Sequence, residues 1–259
     1  MLNNVEIERL EEKYLDKIYH LLKYMEEEII DGFLSREKIK DDWKSFWNIQ
    51  RNGQGMSDFD RGAERIVYSI LNGKIVGSPN SSPVGSDLMF ETKDAFIHID
   101  LKTVNSNNIG DGNTSIFVGE NQNSYRSTII KLNNNNEEYR PHLPTFYNIN
   151  KPNQKICLTY FIVVLWDSST LDTIAIYIIC MPNGKLESHY KSRVLKAGKN
   201  PGKARFNFKE VDNFELLSNG SNCKKRIKII HLNEKYITSK KYKNKLKFLY
   251  EIYKKQCQS

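Results

Sequence analysis

Within SPVGSDLMFETKDAFIHIDLKTV (Ser82–Val104), three residues have the types and spacing to do chemistry: Asp87, Asp100 and Lys102. AFIHIDLK has the apolar alternation of a buried strand. Side chains alternate along a strand, so Asp100 and Lys102 share one side with His98, while Ile99 and Leu101 take the other. An unpaired charge in such a place costs several kcal/mol or neutralises itself, so these charges need a use. A tight hairpin through Glu91–Asp94 brings Asp87 beside Asp100. Two carboxylates so placed make an oxygen-rich pocket for a hard divalent cation, Mg²⁺. A lysine on the same face contacts a phosphate and helps hold or deprotonate an attacking water. The set meets the needs of phosphodiester hydrolysis: metal-stabilised charge, an oriented nucleophile and a stabilised leaving oxygen.

The surrounding elements must position that stretch. Residues 5–30 predict one helix, with Ile7, Leu10, Tyr14, Ile18, Leu21, Met25 and Ile29 on its apolar seam and the glutamates and lysines on a solvated face. Ser35 is the expected cap of a second helix carrying Ile39, Trp43, Phe46 and Trp47, which the RNGQG segment ends. A third, about Phe59–Leu71, places Phe59, Ala63, Ile66, Val67 and Ile70 together and carries Glu64 and Arg65. The Pro-, Ser- and Gly-rich loop SPNSSPVG then leads into the hairpin strands LMF and AFIHIDLKTV. Residues 105–123 and 133–136 read as asparagine-rich loops. KICLTYFIVVLW (155–166) and TIAIYIICM (173–181) are nearly continuous apolar strands whose two faces are both covered. ARFNF (204–208) and KKRIKIIHL (224–232) are shorter strands. A last helix is expected from Ser239 to Lys255, with Tyr242, Leu246, Leu249 and Tyr253 inward. No internal repeat or domain boundary is visible. The expectation is one mixed α/β domain over 1–259, with a helical N-terminal region (1–50), a catalytic core (59–182) and a basic region (185–259).

Of the 259 residues 39% are apolar, a soluble globular composition and not a disordered one. The acidic start lacks the plan of a signal peptide, and no apolar run reaches the ~20 residues that span a bilayer, so a cytoplasmic protein with no membrane partner is expected. Cys157, Cys180, Cys223 and Cys257 form no CxxC pair and read as structural filler. Charge is unevenly spread: residues 1–60 hold 9 basic and 14 acidic side chains, residues 185–259 hold 20 and 6. Such asymmetry suggests a polyanion partner for the C-terminal third, although lysine enrichment of a solvated surface gives the same count. The best local candidate for DNA contact, KSRVLKAGKNPGKARFNF (191–208), carries Arg193, Lys196, Lys199, Lys203 and Arg205 on an expected flexible loop. Such a loop can lie along a DNA backbone or enter the major groove.

Asp87, twelve residues, then Asp100-Leu101-Lys102 resembles the PD-(D/E)xK nuclease motif, and its context is most similar to Type II restriction endonucleases. Ser86 stands where the motif has proline. The resemblance implies a mixed sheet flanked by helices, with Asp87 and Asp100 as Mg²⁺ ligands and Lys102 assisting the water. It matches Glu64 to an acidic residue on the preceding helix; pairing with Arg61 or Arg65 is the plainer reading. Gln122 and Tyr125 in GENQNSYRS resemble residues some superfamily members place near the site, and Gln122 is a further DNA-contact candidate. The implied activity is site-specific cleavage of double-stranded DNA to 5′-phosphate and 3′-hydroxyl ends by a homodimer, with a cognate DNA methyltransferase as functional partner. The residues leave open a structure-specific repair or recombination nuclease and a non-catalytic DNA-binding protein.

Overall fold

The two most apolar runs of the chain lie side by side in a mixed sheet. The computed structural model describes residues 2–34, 58–71, 86–131, 133–198, 204–220 and 222–257. β7 (Lys155–Trp166) and β8 (Thr173–Met181) pair antiparallel and are buried except at the two ends of β7. β2 (Ala95–Asn105) runs parallel to β7 along its whole length, Ala95 opposite Ile156 and Asn105 opposite Trp166. β1 (Leu88–Glu91) lies antiparallel on the outer side of β2, and β11 (Ile227–Leu232) adds to β8. The order is β1-β2-β7-β8-β11, with the two residues of β6 (Phe146–Tyr147) on the start of β7. Two small sheets stand apart: β3 (Ile116–Val118), β10 (Ala204–Phe206) and β9 (Leu195–Ala197) in the order β3-β10-β9, and the hairpin of β4 (Ser127–Ile130) and β5 (Asn136–Tyr139).

The expected first helix is two. α1 (Asn4–Tyr24) starts at a capping box: Glu6 N–H donates to Asn3 Oδ1 (2.9 Å) and Asn3 N–H donates to Glu6 Oε2 (2.8 Å). The chain turns at Met25 into α2 (Glu26–Leu34) because the junction is tied to β11: Lys23 Nζ donates to Ile230 O (2.9 Å), and Glu26 Oε1 meets His231 Nδ1 at 2.9 Å. α3 (Asp58–Leu71) packs against α2 at Gly32, where an added Cβ would lie 3.0 Å from Ile66 Cγ2. The expected helix after Ser35, the RNGQG break and the SPNSSPVG loop lie outside the described residues, as do the side chains of Phe59, Arg61 and Arg65.

The solvated face expected of α1 is partly a buried one. Glu8 and Glu11 have no exposure, and neither has Arg226, which donates to Glu11 Oε2 (2.7 Å) and Glu8 Oε1 (3.0 Å). The remaining carboxylate oxygens accept backbone N–H groups of Asn183 (2.7 Å) and Leu217 (3.1 Å). Burial pushes the Glu11 carboxyl up against the pull of Arg226, while the guanidinium is held protonated by the acids around it. Further out, Lys224 pairs with Glu12 (2.8 Å) and Lys228 with Asp16 (2.6 Å). Part of the basic surplus of the C-terminal third is therefore matched inside the molecule by acidic α1, which corrects its assignment to a polyanion partner for these residues.

Other boundaries moved for similar reasons. α4 (Lys247–Cys257) starts eight residues later than expected: Tyr242 is buried in tight turns, its hydroxyl donating to Asp167 Oδ2 (2.7 Å). The 105–123 segment holds a short helix (Ile109–Asn113) and β3 rather than a plain loop, and 191–208 holds β9 and β10. Cys157 and Cys180 are buried free thiols in the central strands, while Cys223 and Cys257 are free and exposed. Among the described residues no helix is long and apolar enough to cross a membrane.

Removing one partner of a buried ion cluster leaves the other charge uncompensated. Arg226→Ala should cost about 3–5 kcal/mol in urea unfolding, whereas Lys224→Ala, at an exposed pair, should cost about 1 kcal/mol or less.

Candidate active site

The hairpin that carries the acids is anchored at its turn. Thr92 N–H donates to Ala95 O (2.8 Å), the Tyr14 hydroxyl of α1 donates to Thr92 Oγ1 (2.8 Å), and Lys155 Nζ reaches Thr92 O (2.6 Å) and Glu91 (2.7 Å). Asp94 meets both Tyr14 and Lys13. From there the register runs Glu91 opposite Phe96 to Leu88 opposite Ile99, and one step further sets Asp87 across from Asp100. Leu101 N–H donates to Asp87 Oδ2 (2.7 Å), which fixes that carboxylate beside β2. β2 is buried through Asp100 and half-buried beyond it, so Asp100 stands where the strand leaves the core; it is 3% exposed and Asp87 is exposed.

Asp100 is the electrostatic centre of the cluster. Its Oδ1 accepts from Gln122 Nε2 (2.9 Å), and its Oδ2 is ion-paired with Lys102. Burial raises its pKa to about 7; Lys102 opposes the rise and Asp87 adds to it. Lys102 Nζ also donates to Gln122 Oε1 (3.0 Å), which accepts the Gly119 N–H as well (2.9 Å). The ammonium lies between two rings, 5.5 Å from the centre of Phe161 and 5.7 Å from that of Phe117. The loop after β3 thus delivers Gln122, through the turn Glu120–Gln122, to a position bridging both charged groups of the motif. Gln122, a candidate from the sequence, contacts both charged groups of the motif.

α3 supplies what the motif alone does not show. Tyr68 lies one turn after half-buried Glu64, and its buried hydroxyl faces Asp87. Burial first, then the charge of Asp87 and a hydrogen bond to it, then the fields of Glu64 and Asp100, raise the phenol well above its ordinary range. Glu64 therefore lies close enough to act on the same group as both motif acids. The i,i+4 spacing of Glu64 and Tyr68 was the available signal for Tyr68.

The remaining candidates separate. His98 is fully buried between the Ser86 hydroxyl (Nδ1, 2.9 Å) and the Tyr147 hydroxyl (Nε2, 3.0 Å), and burial lowers its pKa to about 4. It is a satisfied core histidine, and Ser86, in the place of the motif's proline, is one of its partners. Tyr125 is also core, its hydroxyl donating to Lys191 O (2.7 Å). Arg193 is engaged by Glu215 through two bonds of 2.6 and 2.9 Å. Arg205 on β10 donates to Ser115 Oγ (3.0 Å) and Ser115 O (3.1 Å), and Lys196 on β9 is exposed. Lys199 and Lys203 lie outside the described residues.

Among the described residues no group of three or more His, Cys, Asp and Glu side chains is gathered closely enough to hold a metal by itself. The donor set still suits a hard cation: two facing carboxylates, one of them nearly unexposed. A mixed sheet flanked by helices, with an acid pair and a lysine on its outer hairpin, defines the restriction endonuclease class of fold. BglI bound to its DNA recognition sequence aligns with a TM-score of 0.66 at 15% identity, covering 88% of this chain and 91% of that one. Tetrameric SfiI bound to cognate DNA aligns at 0.63 and 12% identity, covering 93% and 88%. Residues 3–170 match the N-terminal domain, and residues 173–232 the central domain, of Type II restriction enzyme MwoI. The chain belongs to the MwoI family of Type II restriction enzymes and is a site-specific deoxyribonuclease, as the motif resemblance implied. No curated protein sequence matches it. The central sheet takes β1, β2 and β7 from the first matched segment and β8 and β11 from the second.

Because the folded pKa of Asp100 (about 7) exceeds the ordinary aspartate value of 3.8, the folded state holds a proton that the unfolded state releases between those values. Stability from this group is full below pH 3.8 and lost as pH rises to about 7. Asp100→Asn should therefore be more stable than the natural protein at pH 8. The gap should narrow by about 2 kcal/mol at pH 5 in parallel thermal melts.

Proposed function

We propose that the chain cuts both strands of a specific duplex DNA sequence with Mg²⁺, as one domain over 1–259, leaving 5′-phosphate and 3′-hydroxyl ends. Asp87 and Asp100 are the metal ligands, and Glu64 is a further acid of the site. The observation that carries this reading is Asp100: a nearly unexposed carboxylate, opposite a second one, and ion-paired with the motif lysine. A bound divalent cation supplies positive charge that stabilises the phosphate and the leaving oxygen. Asp87 stays oriented by the Leu101 N–H. Lys102, held by Gln122 and flanked by two rings, presents its ammonium to the scissile phosphate and holds the attacking water by a hydrogen bond. Gln122 keeps Lys102 and Asp100 at a set separation, and Tyr68 remains a neutral phenol beside the acids.

Cleavage of both strands of a twofold-symmetric sequence calls for two sites, so the working form is a homodimer. The enzyme acts in the cytoplasm, paired functionally with a methyltransferase that protects the host's own copies of the sequence. Lys196 and Arg205, with Lys199 and Lys203, add the sequence-independent grip on phosphates. Membership of a Type II restriction family favours this reading over a structure-specific nuclease or a non-catalytic binding protein.

Purified protein incubated with phage-length duplex DNA and Mg²⁺ should yield discrete fragments that share one terminal sequence. Asp100→Ala should lose about 100-fold or more of that activity while still binding DNA. Without DNA, millimolar Mg²⁺ should raise the thermal midpoint of the natural protein and leave that of Asp100→Ala unchanged. Intact DNA in both Mg²⁺ and Mn²⁺ would overturn the proposal, and a single-copy mass on DNA would overturn the dimer.

A further inference from the structure

The small sheet beside the active site has one apolar face and one mixed face. On β3, β10 and β9 the residues Ile116, Val118, Ala204, Phe206 and Leu195 are buried. The residues between them point the other way, and the register sets them in one row: Phe117 opposite Arg205, and Arg205 opposite Lys196. Phe117 breaks the usual alternation, since an outward position that suits a polar residue carries a large aromatic side chain at 37% exposure. Its ring lies 5.7 Å from Lys102 Nζ, so the row begins at the motif lysine and runs outward along two further cations.

We infer that this row is a DNA-contact surface continuous with the active site, with Phe117 packing its ring on the nucleotide next to the scissile phosphate. Three cations share the row with a partly exposed aromatic side chain: Lys102 over the ring, Arg205 opposite it, and Lys196 one strand further out. That combination is complementary to nucleic acid, in which phosphates alternate with flat bases and apolar sugar faces. Arg205 is braced by two hydrogen bonds to Ser115, which holds the middle of the row rigid. Phe117 is then a positioning residue for the substrate. It keeps the nucleotide in line with Lys102 without itself taking part in proton or phosphoryl transfer.

The inference rests on the nuclease reading, and the test separates the two. Phe117→Ala, Phe117→Leu and Phe117→Tyr are compared with the natural protein for binding to a pool of fluorescent genomic duplex fragments without divalent metal. Their single-turnover cleavage with Mg²⁺, thermal midpoints and masses in solution are measured alongside. Phe117→Ala and Phe117→Leu should weaken DNA binding about tenfold, with midpoints close to that of the natural protein, and Phe117→Tyr should restore it to within about twofold because a ring face is retained. Failure of Leu and rescue by Tyr distinguishes a stacked ring from generic apolar contact. Unchanged binding with a slower cleavage step would confine Phe117 to the surroundings of Lys102 and overturn the inference while leaving the nuclease reading intact. A changed mass with unchanged DNA binding would assign the row to contact between copies and overturn it as well. If the natural protein neither binds nor cuts DNA, both readings fall together.

Discussion

The parallel ladder between β2 and β7 governs what happens at the cleft. It joins eleven residue pairs without interruption, from Ala95–Ile156 to Asn105–Trp166. A strand has period two, so a slip of one residue would turn Asp100 and Lys102 to the opposite face and bring Ile99 and Leu101 to theirs. Burial of Ile97 and Ile99 opposes that slip, and β8 locks β7 from the other side. The antiparallel register of β1 then carries the same precision across to Asp87. The acid pair is therefore positioned by the core strands and the short turn that joins β1 to β2.

A second constraint comes from the far end of the chain. Arg226 lies just before β11, and its two acids lie on α1, more than two hundred residues earlier. An unpaired guanidinium at that depth would be strongly destabilising, so α1 and the start of β11 are tied together by charge as well as by apolar contact. The same helix meets the hairpin turn through Lys13 and Tyr14. α1 thus braces the central sheet near both of its ends, and the acidic surplus of the N-terminal region is partly consumed in doing so.

The active-site carboxylate runs against this economy. Asp100 is buried next to a second acid, and its ionised form is disfavoured until positive charge arrives. Lys102 supplies part of that charge, and Gln122 orients both groups with one side-chain amide. A neutral residue at position 100 would make a quieter fold. The retained charge is a local conflict of the kind commonly found at functional sites.

Much of this was legible in the order of residues. Apolar runs at 155–166 and 173–181 determined the central strands, because a run that long without polar interruption has to be covered on both faces. Alternation in AFIHIDLK put Asp100 and Lys102 on one side, and the short polar turn set Asp87 opposite, because strand periodicity is a local property. The sequence motif also carried the restriction-enzyme resemblance. Tertiary structure alone decided which charges are spent inside. Glu8, Glu11 and Arg226 look like surface residues until distant segments meet, and Arg193 is paired with Glu215, 22 residues away along the chain. The roles of Gln122, Tyr68 and Phe117 likewise depend on a loop, a helix and a small sheet converging on β2. Periodicity reports which way a side chain faces within its own element; which element it faces is settled only when the chain closes its long-range contacts.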